Sequence, residues 1–297
     1  ENKTKETITF PVVKPAKQGT KPTEPIAAFP PSSANTKTIV YTQNNIHDFA
    51  WFADKRFAVV HDTLLLSSGR IIDAYSFYIT RASSHQYWSN SLPYIKQTIL
   101  SRNKWIGEYP YNIVSVVEAE MGFSGGMEYP TITSISPVGS AKELEGTIEH
   151  EVGHNWFYGI IGSNEREHAW MDEGVNTFYD QRYESLSDTA HKKKTNSRMP
   201  KNDSQLLLDI INSNNKGQAI ETSSEKFSEQ NYYATVYYKT AVWLKQLEQA
   251  LGSELFDKCM QNYFTQWKFK HPYPEDFKAI FEQTSGQNLD ALFAKLN

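Results

Sequence analysis

The pattern of apolar and polar positions changes texture along the chain. Residues 1–37 set Pro11, Pro15, Pro22, Pro25, Pro30 and Pro31 among Thr, Lys and Ala with little periodicity. Such a stretch cannot bury enough apolar surface to fold alone, which predicts an extended arm or linker. From residue 38 the pattern turns to partial alternation of β-branched and aromatic residues. "TIVYTQ" (38–43), "DFAWFA" (48–53) and "RIIDAYSFYIT" (70–80) predict strands, and Ser68-Gly69 supplies a turn before the last of them. Tyr94, Ile95, Thr98, Ile99 and Trp105 recur at helical spacing behind Pro93, a residue suited to a helix start. "NIVSVVEAE" (112–120) and "YPTITSIS" (129–136) predict two further strands around the glycine-rich loop Gly122 to Gly126. After Ser140 the spacing is almost wholly helical, over about 141–160, 172–186, 203–213, 230–251, 253–268, 274–284 and 288–296. A mixed β-sheet part followed by a helical part predicts one α+β domain over 38–297, with a cleft between its halves.

Composition narrows the function classes without choosing one. With 39% hydrophobic and 22% charged residues, the 297-residue chain has a globular make-up and length for one large or two modest cores. Formal net charge is −4, and the run His191-Lys192-Lys193-Lys194 reads as a solvated loop, so nucleic acid is not an expected partner. No stretch approaches the about 18 to 20 consecutive apolar residues of a membrane span, so no transmembrane segment is expected and the chain reads as soluble. The single cysteine excludes an internal disulfide framework and a cysteine-based zinc site. Cys259 itself, among Phe256, Met260 and Tyr263 at helical spacing, reads as a buried small hydrophobe. The first residue is Glu and no signal pattern follows, so the sequence is expected to begin after processing or inside a longer chain, with its compartment open.

Any metal must therefore sit on His, Asp or Glu, and "HEVGH" at 150–154 offers the spacing for it. Residues four apart on an α-helix lie about one turn apart and only ~40° around the axis, so His150 and His154 can address one ion. Glu151 then sits beside the open coordination position. Catalytic zinc takes three protein ligands and keeps a fourth place for water, so a third ligand is required. Glu173, nineteen residues after His154 in "WMDEG", is the candidate, because that gap lets one helix end near Gly162 and another present its carboxylate. Surface histidines on an amphipathic helix are the bland alternative. His47, His61, His85, His168, His191 and His271 lack a comparable partner spacing and read as structural or exposed.

The run from His150 to Glu173, together with "GGMEYP" at 125–130, resembles the thermolysin-like zinc aminopeptidases, the family of aminopeptidase N and leukotriene hydrolase. "HDFAW" (47–51) and "GEYPY" (107–111) also look like segments of bacterial members, and the resemblance covers about residues 38–297. It departs at Tyr129, where the family's Gly-x-Met-Glu-Asn motif has Asn, while Gly126, Met127 and Glu128 are retained. The resemblance implies a thermolysin-like catalytic domain holding one Zn²⁺ per chain and acting on peptides with a free N-terminus. Glu151 would be the general base. Gly125, Gly126, Met127 and Glu128 would bind substrate, with the Glu128 carboxylate pairing with the α-ammonium. Without the resemblance, "SGGMEYP" reads as a plain hairpin turn.

"NYYATVYYKTAVWLKQL" (231–247) resembles the family's Tyr-x-Lys-Gly helix start, with Thr240 replacing the glycine. This implies Tyr237 as the hydrogen-bond donor to the oxyanion of the tetrahedral intermediate. Tyr237 also belongs to a helical stripe with Val236, Thr240, Ala241 and Leu244, which gives it a structural alternative. The family's N-terminal β-domain, which supplies a second amine anchor, and its C-terminal helical region are not recognisable here, so the chain is expected to be part of a longer protein. Three other activities stay open: a zinc endopeptidase on the same fold, a leukotriene-hydrolase-like epoxide activity, and a catalytically silent interaction module.

Overall fold

The computed structural model describes residues 28–80, 85–122, 124–190 and 217–297. Most of the proline-rich head, the expected helix over 203–213 and the basic run from His191 to Lys194 lie outside the described residues. A five-stranded mixed sheet forms the first half, in the order β1-β2-β3-β5-β4. Strand β1 (Phe57–Leu65) is antiparallel to β2 (Ile71–Ile79), β2 is parallel to β3 (Ile113–Glu118), and β3 is parallel to β5 (Ile132–Ile135). The short strand β4 (Gly126–Met127) closes the far edge antiparallel to β5. Helices α1 (His85–Trp88) and α2 (Ser91–Trp105) cross between the parallel neighbours β2 and β3.

The second half is helical: α3 (Ala141–Gly153), α4 (Glu165–His168), α5 (Glu173–Ala190), α6 (Glu229–Tyr232), α7 (Thr240–Leu251), α8 (Ser253–Trp267), α9 (Pro274–Ser285) and α10 (Asp290–Phe293). Helix α3 starts where Ser140 accepts the Glu143 N–H at 3.1 Å, a cap that contributes about 1 kcal/mol. Its buried stripe Leu144, Ile148 and Val152 repeats every four residues and packs in one core with Val114 and Val116 of β3 and Ile135 of β5. That packing turns the opposite side of α3 toward a cleft of about 1070 Å³, bounded by the β4 end of the sheet, α3, α5 and the segment before α7. The α+β division and its intervening cleft follow the sequence pattern.

Four boundaries differ from it. Residues 38–43 and 48–53 form no strand, because no partner backbone pairs with them; Ile39, Val40, Tyr41, Phe49 and Trp51 are all more than half exposed. The strand lies instead at 57–65, where His61 and Asp62 interrupt the apolar run. Helix α3 ends at Gly153 rather than near 160. Asn155 supplies the stop: its side-chain N–H₂ donates to the Val152 carbonyl at 2.9 Å, and its carbonyl accepts the Thr131 N–H at 2.9 Å. The chain then turns through Tyr158, at φ 126, and buries Trp156, Phe157, Ile160 and Ile161 in the shared core. Finally, Tyr233–Lys239 is a π-helix between α6 and α7, with the Thr240 N–H reaching the Thr235 carbonyl five residues back. The Thr240 methyl fills the space a side chain on Gly174 would need, coming to 2.4 Å of a Cβ built there.

Candidate active site

Helix α3 and the first residue of α5 bring three ligand-type atoms together. Glu173 Oε2 is 3.2 Å from His150 Nε2 and 3.1 Å from His154 Nε2, and the two Nε2 atoms are 3.2 Å apart. The opposite ring nitrogens are occupied: His150 Nδ1 pairs with Asp180 at 2.6 Å and His154 Nδ1 with Asp172 at 2.6 Å. With Nδ1–H donated to carboxylates, both imidazoles aim Nε2 lone pairs at one point. Glu173 Oε2 faces the same point, is buried, and makes no hydrogen bond of acceptable angle despite its short distances. Bonds of about 2.0 Å to a tetrahedral ion imply ligand edges of about 3.3 Å, close to these separations. The donor set therefore fits zinc in size and in chemistry. Glu128, His154 and Asp172 also have ligand atoms within 4.8 Å of one another, but this group shares His154 and belongs to the same centre.

The electrostatics of the cluster point the same way. Burial opposes protonation of His150 and His154, yet the Asp180 and Asp172 carboxylates, with Glu173, raise both imidazoles well above their ordinary range. Burial likewise acts to raise Glu173, but the two histidines outweigh it and hold that carboxyl well below the usual range. A dication would take the place of those protons. Asp180 is not held by His150 alone. The fully buried Arg102 guanidinium on α2 spans Asp180 at 2.7 Å and Glu149 at 2.9 Å, and burial together with Asp180 raises the Glu149 carboxyl well above its ordinary range. Asn176 adds a bond from its side-chain N–H₂ to the His150 carbonyl at 2.7 Å.

Glu151 lies beside the triad, 5% exposed, with Oε2 lacking a hydrogen-bond partner. Burial pushes its carboxyl up to about 7; the two histidines oppose that, while Glu128 and Glu173 add to it. Gly126 on β4 packs directly on it, because a Cβ there would meet the Glu151 side chain at 2.4 Å. Thr133 Oγ1 fastens strand to helix through the Met127 carbonyl at 3.3 Å and the Glu151 carbonyl at 3.2 Å. Gly125, at φ 104, makes the turn into β4. Gly125, Gly126 and Glu128 line the cleft, whereas Met127 alternates to the other side of the strand and is absent from the lining. Tyr237, on the π-helix, donates to Glu173 Oε1 at 2.5 Å and stacks on His150 with ring centroids 6.0 Å apart.

The candidate residues His150, Glu151, His154, Glu173, Tyr237, Gly125, Gly126 and Glu128 thus share one cleft wall or its floor. Asp172, Asp180, Arg102, Glu149 and Asn176 were not singled out by sequence. Asp180 stands seven residues after Glu173, two turns along one face of α5, which is the one periodic signal that points to it.

The peptidase family M1 domain matches residues 95–296, well over half of the chain. The chain belongs to peptidase family M1. Among its relatives, leucine aminopeptidase 2-1 of Meyerozyma guilliermondii is 26% identical over 183 residues, covering 53% of this chain and 28% of that protein. Aminopeptidase B of Rattus norvegicus is 23% identical, covering 63% of this chain and 30% of its own length. Two solved structures share the M1 fold. Legionella pneumophila aminopeptidase A gives a TM-score of 0.64 at 16% identity over 81% of this chain and 28% of that one. The M1 zinc metallopeptidase of Deinococcus radiodurans gives 0.59 at 15% identity over 80% of this chain and 50% of that one. The chain therefore spans about a quarter to a half of the length of these relatives. Among the described residues, no helix is long and apolar enough to cross a membrane.

Proposed function

We propose that this M1 chain holds one zinc ion on His150, His154 and Glu173 and hydrolyses the N-terminal peptide bond of peptides. The observation that carries the proposal is the convergence of two Nε2 atoms and an unpartnered carboxylate oxygen within 3.2 Å, with Glu151 at its side and the Glu128 carboxylate beyond His154. When bound, zinc supplies a Lewis-acid charge that makes water nucleophilic near neutral pH. Glu151, dry and raised toward neutrality, accepts the proton of the attacking water and returns it to the departing amine. Tyr237, anchored beside the triad, donates its hydroxyl hydrogen bond to the oxygen that gains charge. Glu128 pairs with the substrate's α-ammonium and so fixes which peptide bond reaches Glu151. The names of the relatives, aminopeptidases over half of this chain, favour exopeptidase over endopeptidase action.

The test compares one peptide, free and N-acetylated, in the full-length protein with and without Glu128→Gln. Acetylation should nearly abolish wild-type cleavage. The preference for the free amine should fall by roughly one to two orders of magnitude in the variant, the equivalent of a charge-assisted hydrogen bond of about 1.5–3 kcal/mol. If acetylation and substitution act independently, Glu128 does not read the amine, and the zinc endopeptidase becomes the better reading. Zinc content measured on the wild type and on His154→Ala decides the metal: equal content excludes the triad.

A further inference from the structure

The cleft extends well past the metal triad, and its far part has a chemistry that the reaction does not use. Along α5 the lining residues Glu173, Thr177, Asp180 and Glu184 recur at intervals of four, three and four, which marks one helix face about 16 Å long. Glu128 lies at the His154 and Asp172 end, so the far part lies on the opposite side of the triad from the proposed amine anchor. Eight Asp and Glu side chains line the whole cleft against a single lysine. Most of that charge already has a cation or a task. Arg102 bridges Glu149 and Asp180, Lys142 pairs with Glu184 at 3.1 Å, and Glu128, Glu151 and Glu173 belong to the centre. Exposed Glu143 accepts the Gly139 N–H at 2.8 Å in the turn that starts α3.

Glu145 is the remaining acid. It is half-buried, has no cationic partner among the described residues, and accepts a hydrogen bond from the Tyr183 hydroxyl at 3.3 Å. Tyr94, from α2, lines the same wall. A carboxylate without a cation, bordered by tyrosines, is a receptor for an ammonium or guanidinium group, which gains an ion pair there. Two further features of this wall bear on what it can hold. Gly146, one turn before His150, has no atom within 4 Å of the Cβ it lacks, so neither packing nor backbone conformation requires glycine there. A mid-helix glycine costs about 1 kcal/mol, and here its effect is a trough between His150 and Glu145. Thr177 lines that trough, is only 6% exposed, and its Oγ1 has no hydrogen-bond partner. A buried hydroxyl without a partner is costly unless a ligand satisfies it.

We infer that Glu145, Tyr94, Tyr183 and Thr177 form a subsite for a cationic side chain on the substrate residue that follows the cleaved bond. The assignment to that residue rests on the aminopeptidase reading, since Glu128 at the other end would hold the first residue. The five-residue offset from His150 to Glu145 is about 7.5 Å along the helix, a distance suited to the long stems of Arg and Lys. Thr177 Oγ1 serves the substrate backbone on the way.

The test uses the full-length, zinc-loaded protein and two tripeptides that differ only in their second residue, arginine or its neutral isostere citrulline. Binding is measured calorimetrically in a Glu151→Gln background, and cleavage in the wild type. The arginyl peptide should bind about tenfold more tightly than the citrullinyl peptide, in line with one charge-assisted contact. Adding Glu145→Gln should reduce that ratio to within about twofold, and Thr177→Val should weaken both peptides by a similar factor. Equal binding of the two peptides in the Glu151→Gln background, or a ratio that survives Glu145→Gln, overturns the subsite. So does a Glu145→Gln effect confined to peptides with arginine in first place. An arginine preference that requires Glu145 while acetylated peptides are cleaved as fast as free ones keeps the cationic subsite and refutes the aminopeptidase reading instead.

Discussion

Asp172→Asn isolates the contribution of the carboxylate behind His154, one of the proposed zinc ligands. Asp172 and the His154 side chain are each 1% exposed and bonded at 2.6 Å, with no other cation within ion-pairing distance of Asp172 among the described residues. The amide keeps the size of the side chain and an acceptor oxygen for Nδ1–H, so the fold should be retained, while the negative charge that enriches the imidazole is lost. Carboxylates in this position typically contribute 10–100-fold to metal affinity, about 1.4–2.7 kcal/mol. Full burial removes solvent screening and sets the expectation at the upper end, about 100-fold weaker zinc binding. Asp180→Asn should cost nearer tenfold, because Asp180 is 21% exposed and shares its charge with Arg102. It should also lower the melting temperature of the metal-free protein more than Asp172→Asn does, since Arg102 loses one of its two carboxylates. Competition against a chelator of known affinity at fixed pH gives both constants, and circular dichroism checks the fold. Zinc affinity within threefold of wild type in Asp172→Asn would refute the idea that His154 Nδ1 is held for the benefit of a metal at Nε2.

Glu151→Gln should retain zinc and lower turnover by about 10²–10⁴, because an amide neither accepts nor returns the proton; metal analysis and initial rates check both halves. Tyr237→Phe should also retain zinc and reduce kcat by about 10² with little change in KM, and an unchanged kcat would move the donor role elsewhere. Gly126→Ala should displace Glu151, since the new methyl would meet its carboxyl carbon at 2.4 Å, and should lower turnover while zinc content stays at one per chain. Chelation should lower the melting temperature by about 6 °C when free zinc had been about a thousand times its dissociation constant, corresponding to about 4 kcal/mol. A melting temperature independent of chelator would remove zinc from the folded state.

The candidate triad was legible because its key spacing is a property of one helix. His150 and His154 need only α3 and its C-cap, His154, to keep helical backbone, and the Leu144, Ile148, Val152 stripe ensures that the opposite face meets the core. Where the helix stops was not legible. Trp156, Phe157, Ile160 and Ile161 continue an apolar pattern that suits a helix, but Asn155 bonds across to Thr131 of the neighbouring strand end, and no periodicity announces that partner. Strands show the same dependence more strongly. "TIVYTQ" and "DFAWFA" have the composition of strands yet lack a paired backbone, while 57–65 pairs over nine residues despite His61 and Asp62. A strand is defined by its neighbour, so composition alone misplaced this edge of the sheet.

The same distinction explains why the support of the site stayed hidden while its candidate ligands did not. Arg102 and Asp180 are 78 positions apart, and Arg102 sits in an otherwise ordinary apolar-periodic helix. Nothing local marks it as the buried cation for two acids. Yet without it the stretch from Glu149 to His154 would bury Glu149 and Glu151 beside the acids Asp172, Glu173 and Asp180, with only the histidines to balance them. Arg102 stands against Asp180, while burial and that neighbouring acid raise the Glu149 carboxyl well above its ordinary range; Glu173 then has only the two imidazoles as cations, and Glu151 faces no paired cation. An accounting of cations therefore separates structural acids from those held for a ligand. On that accounting Glu151 and Glu145, neither with a cation paired to it, are the two acids of α3 whose environments call for something that binds.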